Sequence, residues 1–453
     1  VNQIFLDNKI PVYLDSWIEP NRFTESFNGF PFDKLVSYVD NNLQFMRITK
    51  DNITEFHLPL SITDTTFSLF KKFNKSKTFF YPIGIHWWYS ENIDTEKNIF
   101  QECLEINQEV ISFISSGQCK IILYNPFEGW EESFWQKVID CIIKKYNTIN
   151  REQFIVISNN VDIKNIKSVP LLDNQQFEQS SGQFDNIESL HKHIRQCIIN
   201  KVNRPYKFVA LMRRPRPTRW ALMTELHKDR NKGLMSFSID VDIGNISSQS
   251  TEILDIAYAI KIQKNLFKLG SLENKSLLDF KNAYPKTYKK FMKNGVYNYT
   301  PFWISNDVNP KTNPKTDNSI FKFTDSYLHI VSETYFRNVN ENHLHFSEKT
   351  FKPIWYLQPF ILFSKSNSLK KLTEFGYKTF SKWIDEDYDK IENDTKRFNA
   401  AINSAKNFYL QPTEKLNNDL LEMLPILQHN FENLKYNQIN QTSQLLEKLS
   451  TFI

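Results

Sequence analysis

The sequence predicts an α/β protein of two domains, each built on a parallel sheet flanked by helices, with a helical C-terminal segment. Three observations carry that expectation. At 453 residues the chain is longer than one hydrophobic core usually holds. Short apolar runs alternate with helix-period segments in both halves, the pattern of βαβ units. From about Asp385 onward, apolar and charged positions recur only at helical spacing.

Taken in order, TFFYPIGIHWW (78–88), KIILYNPFEGW (120–130) and QFIVISNN (153–160) read as strands ending in polar or turn-forming residues. Between the last two, ESFWQKVIDCIIKKYN places Phe134, Val138, Ile139, Ile142 and Ile143 on one helical face. Residues 161–205 are poorer in pattern: QQFEQSSGQFDN reads as a loop and ESLHKHIRQCIINKVN as a helix, so the domain boundary is expected near there. KFVALMRRPRPTRWALMTELHKDRNKGLMSFSID then opens a second domain as strand, Arg/Pro-rich loop, helix and strand. The Lys- and Pro-rich stretch 281–315 reads as an exposed excursion, and SYLHIVSETYF (326–336) as a buried strand leading to Glu333. The expected domains are 1–203, 204–384 and a helical segment, 385–453, that packs back on them.

Composition narrows the class. The 38 Phe and 19 Tyr beside only 10 Gly imply aromatic-rich cores and exclude a collagen-like or Gly-rich disordered chain. The 56 basic and 51 acidic residues nearly cancel, so the net charge of +5 does not by itself point to nucleic acid. Cys103, Cys119, Cys141 and Cys197 are scattered without CxxC or Cys/His ligand spacing, which indicates neither a zinc site nor a disulfide framework and fits a reducing compartment. No stretch approaches the ~20 apolar residues of a membrane span, and the N-terminus lacks a signal-peptide pattern; the expectation is a cytoplasmic protein, with peripheral membrane association left open.

Three segments of the second half carry candidate chemistry. Ser347 can cap a helix whose first turn holds Glu348 and Lys349, so a carboxylate suited to hydroxyls, an ammonium suited to phosphate and helix-start amides share one small place. RRPRPTR offers Arg213, Arg214, Arg216 and Arg219 between a strand and a helix; Arg219, where that helix begins, is the best placed to grip an anion, followed by Arg213 and Arg214. Glu333 closes a buried strand, an unusual position for an unpartnered carboxylate. Asp240-Val241-Asp242 has the form of a metal-holding DxD, but three-residue patterns arise often by chance in an acidic-rich chain, and no metal is expected. GxxxxGK[ST], GxGxxG and HExxH are absent from the sequence.

KFVALMRRPRPTRWALMTEL resembles the strand and Arg-bearing helix that open the nucleotide-binding domain of the bacterial alpha-1,3-fucosyltransferase family. SYLHIVSETYF and HFSEKTFKPIWYLQPFILF are similar to that family's strand-Glu-Asn and Thr-Glu-Lys segments, with Thr334 and Ser347 standing where the family has Asn and Thr. GYKTFSKWIDEDYDKIEND also resembles segments of phage and bacterial glycosyltransferase-like proteins. The resemblance implies a GT-B glycosyltransferase, with two Rossmann-like domains facing a central cleft and a cytoplasmic location in a bacterial or virus-infected cell. It implies a GDP- or UDP-linked sugar donor as substrate and no cofactor, with Arg219 and Lys349 on the diphosphate, Glu348 on ribose or sugar, and Glu333 supporting the donor sugar. The acceptor it allows is a glycan, a protein or a hydroxylated DNA base; a non-catalytic nucleotide-sugar-binding protein on the same scaffold is the alternative reading. For an inverting transfer the base would come from the first domain: Glu128 first, with Gly129 allowing close approach and Trp130 stacking on a sugar, then Glu91, then His86.

Overall fold

The computed structural model describes residues 10–13, 67–70, 79–84, 106, 108–125, 129–170, 184–212, 216–237, 280–294, 324–337 and 343–452. His86, Glu91, Glu128, Arg213, Arg214, Asp240 and Asp242 lie outside them. The chain forms two compact units: 1–179 with 340–346 and 436–453, and 180–339 with 347–435.

In the first unit six parallel strands stand in the order β2-β1-β3-β4-β5-β6: β1 Ile10–Tyr13, β2 Phe67–Phe70, β3 Phe79–Gly84, β4 Cys119–Asn125, β5 Phe154–Ser158 and β6 Ser168–Pro170. Helix α1 (Gln108–Ser115) precedes β4, and α2 (Glu132–Lys145) links β4 to β5 in the βαβ manner expected from 132–147. Trp135, Val138, Ile139 and Ile142 of α2 pack with Ile121, Leu123 and Val156 of the sheet. The register Ile121↔Phe154 to Asn125↔Ser158 brings β4 and β5 to a common C-terminal edge.

The second unit holds four parallel strands in the order β10-β9-β7-β8: β7 Tyr206–Met212, β8 Gly233–Phe237, β9 Ser326–Ser332 and β10 Phe360–Phe363. β9 is buried along its whole length, as a central strand covered on both faces must be. The helices are α3 (Phe184–Ile199), α4 (Pro217–Leu226), α5 (Pro285–Asn294), α6 (Glu348–Trp355), α7 (Ser368–Glu374), α8 (Asp394–Tyr409) and α9 (Thr413–Ser450). Pro217 at the first position of α4 sets the helix start, where a missing N–H costs nothing.

The first break in the chain falls at 179/180, ahead of the expected 203/204, because α3 packs with the second unit. Its buried His191 meets the Trp355 carbonyl at 2.8 Å and lies edge-on to Phe431, with ring centroids 4.2 Å apart. The last break, 435/436, falls inside α9. No helix among the described residues is long and apolar enough to cross a membrane.

Candidate functional site

In sequence order the second sheet reads 2-1-3-4, so the chain reverses direction across the sheet between β7 and β9. Open parallel sheets bind ligands outside the C-terminal ends of the strands at such a switch point. The sequence-predicted residues that the structure describes gather there. Arg219, in the first turn of α4, is 3% exposed and donates from Nη2 to the Ser332 carbonyl at the end of β9, 3.2 Å away. This guanidinium, expected to face a diphosphate, is turned inward and ties the helix after β7 to the end of β9.

Glu333, the next residue, is 2% exposed. Its Oε1 accepts from Ser347 N at 3.0 Å and Thr350 Oγ1 at 2.5 Å, and its Oε2 from Ser347 Oγ at 2.6 Å and Thr334 N at 3.3 Å. The carboxylate is thus an anchor for the start of α6, where negative charge is favoured by the helix dipole and the unpaired amides. The sequence predicted a carboxylate supporting the donor sugar; the geometry assigns it to holding the helix that carries Glu348 and Lys349.

Ser347 caps α6 as expected, with Oγ accepting from Lys349 N at 3.3 Å. Lys349 Nζ lies 2.9 Å from that same oxygen and 3.0 Å from Glu348 Oε1, and both charged side chains are 29% exposed. Lys349 is therefore the cation that faces outward at this edge while Arg219 faces in. At its far end α6 stops on Leu357 in a left-handed conformation (φ 49°), with Gln358 N donating to the Pro353 carbonyl at 2.9 Å. Gln358 Nε2 then donates to Ser326 O at 3.1 Å and Ser326 Oγ at 2.6 Å, at the start of β9. The helix is fastened to both ends of one strand, so the position of Lys349 is set by β9.

Beneath it, burial pushes the His329 imidazole down to about 3, aided by the nearby Lys352 ammonium, and burial likewise lowers Lys352. His329 is thus a neutral residue of the sheet. Among the described residues no group of three or more His, Cys, Asp or Glu is placed to hold a metal ion.

Two residues that sequence reasoning missed support this edge. Arg397 of α8 is 1% exposed and spends all five N–H groups: Nε on Ser364 O at 3.1 Å, Nη1 on Ile391 O at 2.7 Å and Glu392 O at 2.9 Å, Nη2 on Phe336 O and on Asp394 Oδ1 at 2.8 Å. It fixes the chain just beyond both β9 and β10. Asp389, in the acidic run 385–389, accepts from Leu369 N at 3.0 Å and Lys370 N at 3.2 Å, so it anchors α7 in the way that Glu333 anchors α6. The available signal was an arginine on the apolar stripe of Phe398, Ala401 and Ala405, where a charge must be fully satisfied.

In the first unit the segment 343–346 lies along the C-terminal edge of β4 and β5. His345 bridges to Asn160, Val161 N donates to Leu344 O at 2.8 Å, Asn160 Oδ1 accepts from Leu344 N at 2.9 Å, and His343 Nε2 meets the Gly129 carbonyl. A Cβ on Gly129 would overlap Cβ, Cγ and Nδ1 of His345. The glycine expected to admit an acceptor instead admits this histidine. Trp130, expected to stack on a sugar, is 7% exposed and packs on Phe134, ring centroids 4.1 Å apart, and on Trp135.

No family model, curated protein or solved structure matches the chain.

Proposed function

We propose that the protein is a metal-independent glycosyltransferase of GT-B type, which takes a sugar from a GDP- or UDP-linked donor and passes it to an acceptor hydroxyl with inversion. One observation carries the reading: Arg219, Glu333 and the Ser347-Glu348-Lys349 helix start converge at the switch point between β7 and β9. In such a transfer the acceptor oxygen attacks the anomeric carbon as the bond to the diphosphate breaks, and the leaving group needs cations to balance its growing charge. Lys349 supplies one at the edge, and Arg213 and Arg214 follow β7 directly in the chain. Glu348, paired with Lys349, offers a carboxylate for ribose or sugar hydroxyls.

The test is thermal unfolding with a panel of nucleotide sugars and nucleoside diphosphates. A ligand that binds only the folded protein stabilises it by ~2.7 kcal/mol at a hundredfold excess over Kd. At least one GDP or UDP compound should raise the Tm of the wild type and fail to raise that of Lys349→Ala. If none does, or if the variant responds equally, the donor-site reading fails.

A further inference from the structure

We infer that the outward face of α5 is a docking surface for the phosphate backbone of a nucleic acid. Residues 280–294, FKNAYPKTYKKFMKN, contain five lysines and no acidic residue. Phe280, Tyr284 and Phe291 point into the unit and pack around Trp220 of α4, with Phe291 and Trp220 centroids 5.3 Å apart. Lys281, Lys286, Lys289 and Lys293 are exposed, and none has an ion-pair partner among the described residues. Lys286, Lys289 and Lys293 follow one another at helical spacing, a basic stripe ~10 Å long at 1.5 Å per residue.

Among the described residues Lys290 is paired with an acid, and Lys281, Lys286, Lys289 and Lys293 are not. Glu225 is held by Lys290 at 2.7 Å and Lys406 at 3.7 Å, and Asp394 by Arg397 at 2.8 Å and Arg337 at 3.7 Å. Thr395 Oγ1 reaches the Ala283 carbonyl at 3.3 Å, which brings the exposed Lys396 into the same neighbourhood. The whole chain carries a net charge of only +5, so a patch this basic is a local concentration rather than a reflection of overall composition.

Nucleic acid is favoured over a membrane surface because the apolar face of α5 is already spent. An interfacial helix must bury such a face in the lipid, whereas the exposed side chains described over 280–294 are the lysines, Asn282 and Pro285. The position also suits a partner of the edge described above. Thr218 Oγ1 and Tyr284 Oη lie 3.2 Å apart, so α5 starts beside the first turn of α4, which holds Arg219. The docking surface goes beyond the donor reading and stands independently of it.

The test is fluorescence anisotropy of a labelled 20-base-pair duplex with the full chain, from 50 to 200 mM salt, in three proteins: the wild type, a variant with Lys281, Lys286, Lys289 and Lys293 all changed to Gln, and a control with Lys144, Lys145, Lys192 and Lys201 changed to Gln. Each phosphate contact contributes about −0.9 to the slope of log K against log salt, so losing four should flatten it by roughly 3.6. The α5 variant should bind more than tenfold more weakly at 50 mM salt, with an unchanged Tm, while the control binds as the wild type does. Equal slopes in all three proteins, an equal loss in the control, or binding by the wild type to phosphatidylserine vesicles and not to the duplex would each overturn the inference. The nucleotide-sugar thermal shift, run on the same variant, should be retained; its absence in every protein would sink the donor reading and leave this one standing.

Discussion

Glu333→Gln separates the role of charge from that of shape at the centre of the candidate site. The carboxylate accepts four hydrogen bonds, from Ser347 N, Ser347 Oγ, Thr350 Oγ1 and Thr334 N, at 2.5 to 3.3 Å. Glutamine keeps the shape but puts an NH2 where one acceptor stood. Each carboxylate oxygen faces a backbone N–H; the amide oxygen keeps the shorter pair, with Ser347 N, so the NH2 falls opposite the Thr334 N–H donor and Ser347 Oγ, an oxygen already accepting from Lys349 N and near Lys349 Nζ. Bonds to a charged group are worth ~1.5–3 kcal/mol and neutral ones ~0.5–1.5, so two strong bonds lose roughly 2 kcal/mol of charge assistance. The lost negative charge at the helix start adds ~0.3–1 kcal/mol. A total of about 3 kcal/mol corresponds to a Tm fall of roughly 6–12 °C for a unit of this size. Thermal unfolding by circular dichroism reads it directly. A fall of less than about 2 °C would refute the anchoring argument, because no geometry with four buried donors on one carboxylate is indifferent to its charge.

Other perturbations test the rest of the edge. Arg397→Lys replaces five fixed donors with three mobile ones and leaves buried carbonyls of Phe336 and Ser364 unpaired; urea unfolding should show a loss of roughly 3 kcal/mol or more, and a loss below 1 kcal/mol would deny it the supporting role. The pH dependence should combine two opposing groups. Burial holds His329 down to about 3, so the unfolded chain takes up its proton first and stability falls by up to ~1.4 kcal/mol per unit as pH drops below about 6.5. Burial raises half-buried Glu386 to about 7, so the folded chain keeps that proton longer and stability falls as pH rises from about 4.5 to 7. His329→Gln should therefore make stability increase from pH 6.5 to 5, and Glu386→Gln should make it decrease more steeply than in the wild type; denaturant midpoints at the two pH values suffice, and slopes of the same sign in both variants would show the assignment wrong.

Elements were legible in the sequence where local periodicity decides them, and partners were not. The apolar run 121–124 and the helical spacing of Phe134, Val138 and Ile142 report burial, and β4 and α2 stand there. Ser347 was readable as a cap because a cap bonds within its own turn. By contrast, Glu333 meets Ser347 and Thr350 across a loop, Arg219 meets Ser332 across a span of 113 residues, and Gly129 meets His343 across 214. Side-chain periodicity says only that such a residue is inside. That is why Arg219 was expected to face a ligand and is found tying two elements together, and why Arg397 gave no functional signal while its five bonds hold the chain beyond β9 and β10.

The strand order of the first unit also bears on which residue would serve as the base in the proposed transfer. That sheet reads 2-1-3-4-5-6, so its reversal lies between β1 and β3, and His86 and Glu91 follow β3 in the chain. Glu128 follows β4, one strand away from the reversal, and its neighbours Gly129 and Trp130 are committed to His343, His345 and the Phe134–Trp135 cluster. The switch point is where parallel sheets present ligand-binding loops. Glu128 and Glu91 both lie outside the described residues, and substitution of each separates the two candidates. With a donor identified by thermal shift, Glu91→Gln should lower turnover by 10²–10⁴-fold with the donor Kd unchanged, the usual contribution of a general base, and Glu128→Gln should lower it by less than tenfold. The opposite ranking would show that the loop beyond β4 carries the base despite its fixed neighbours.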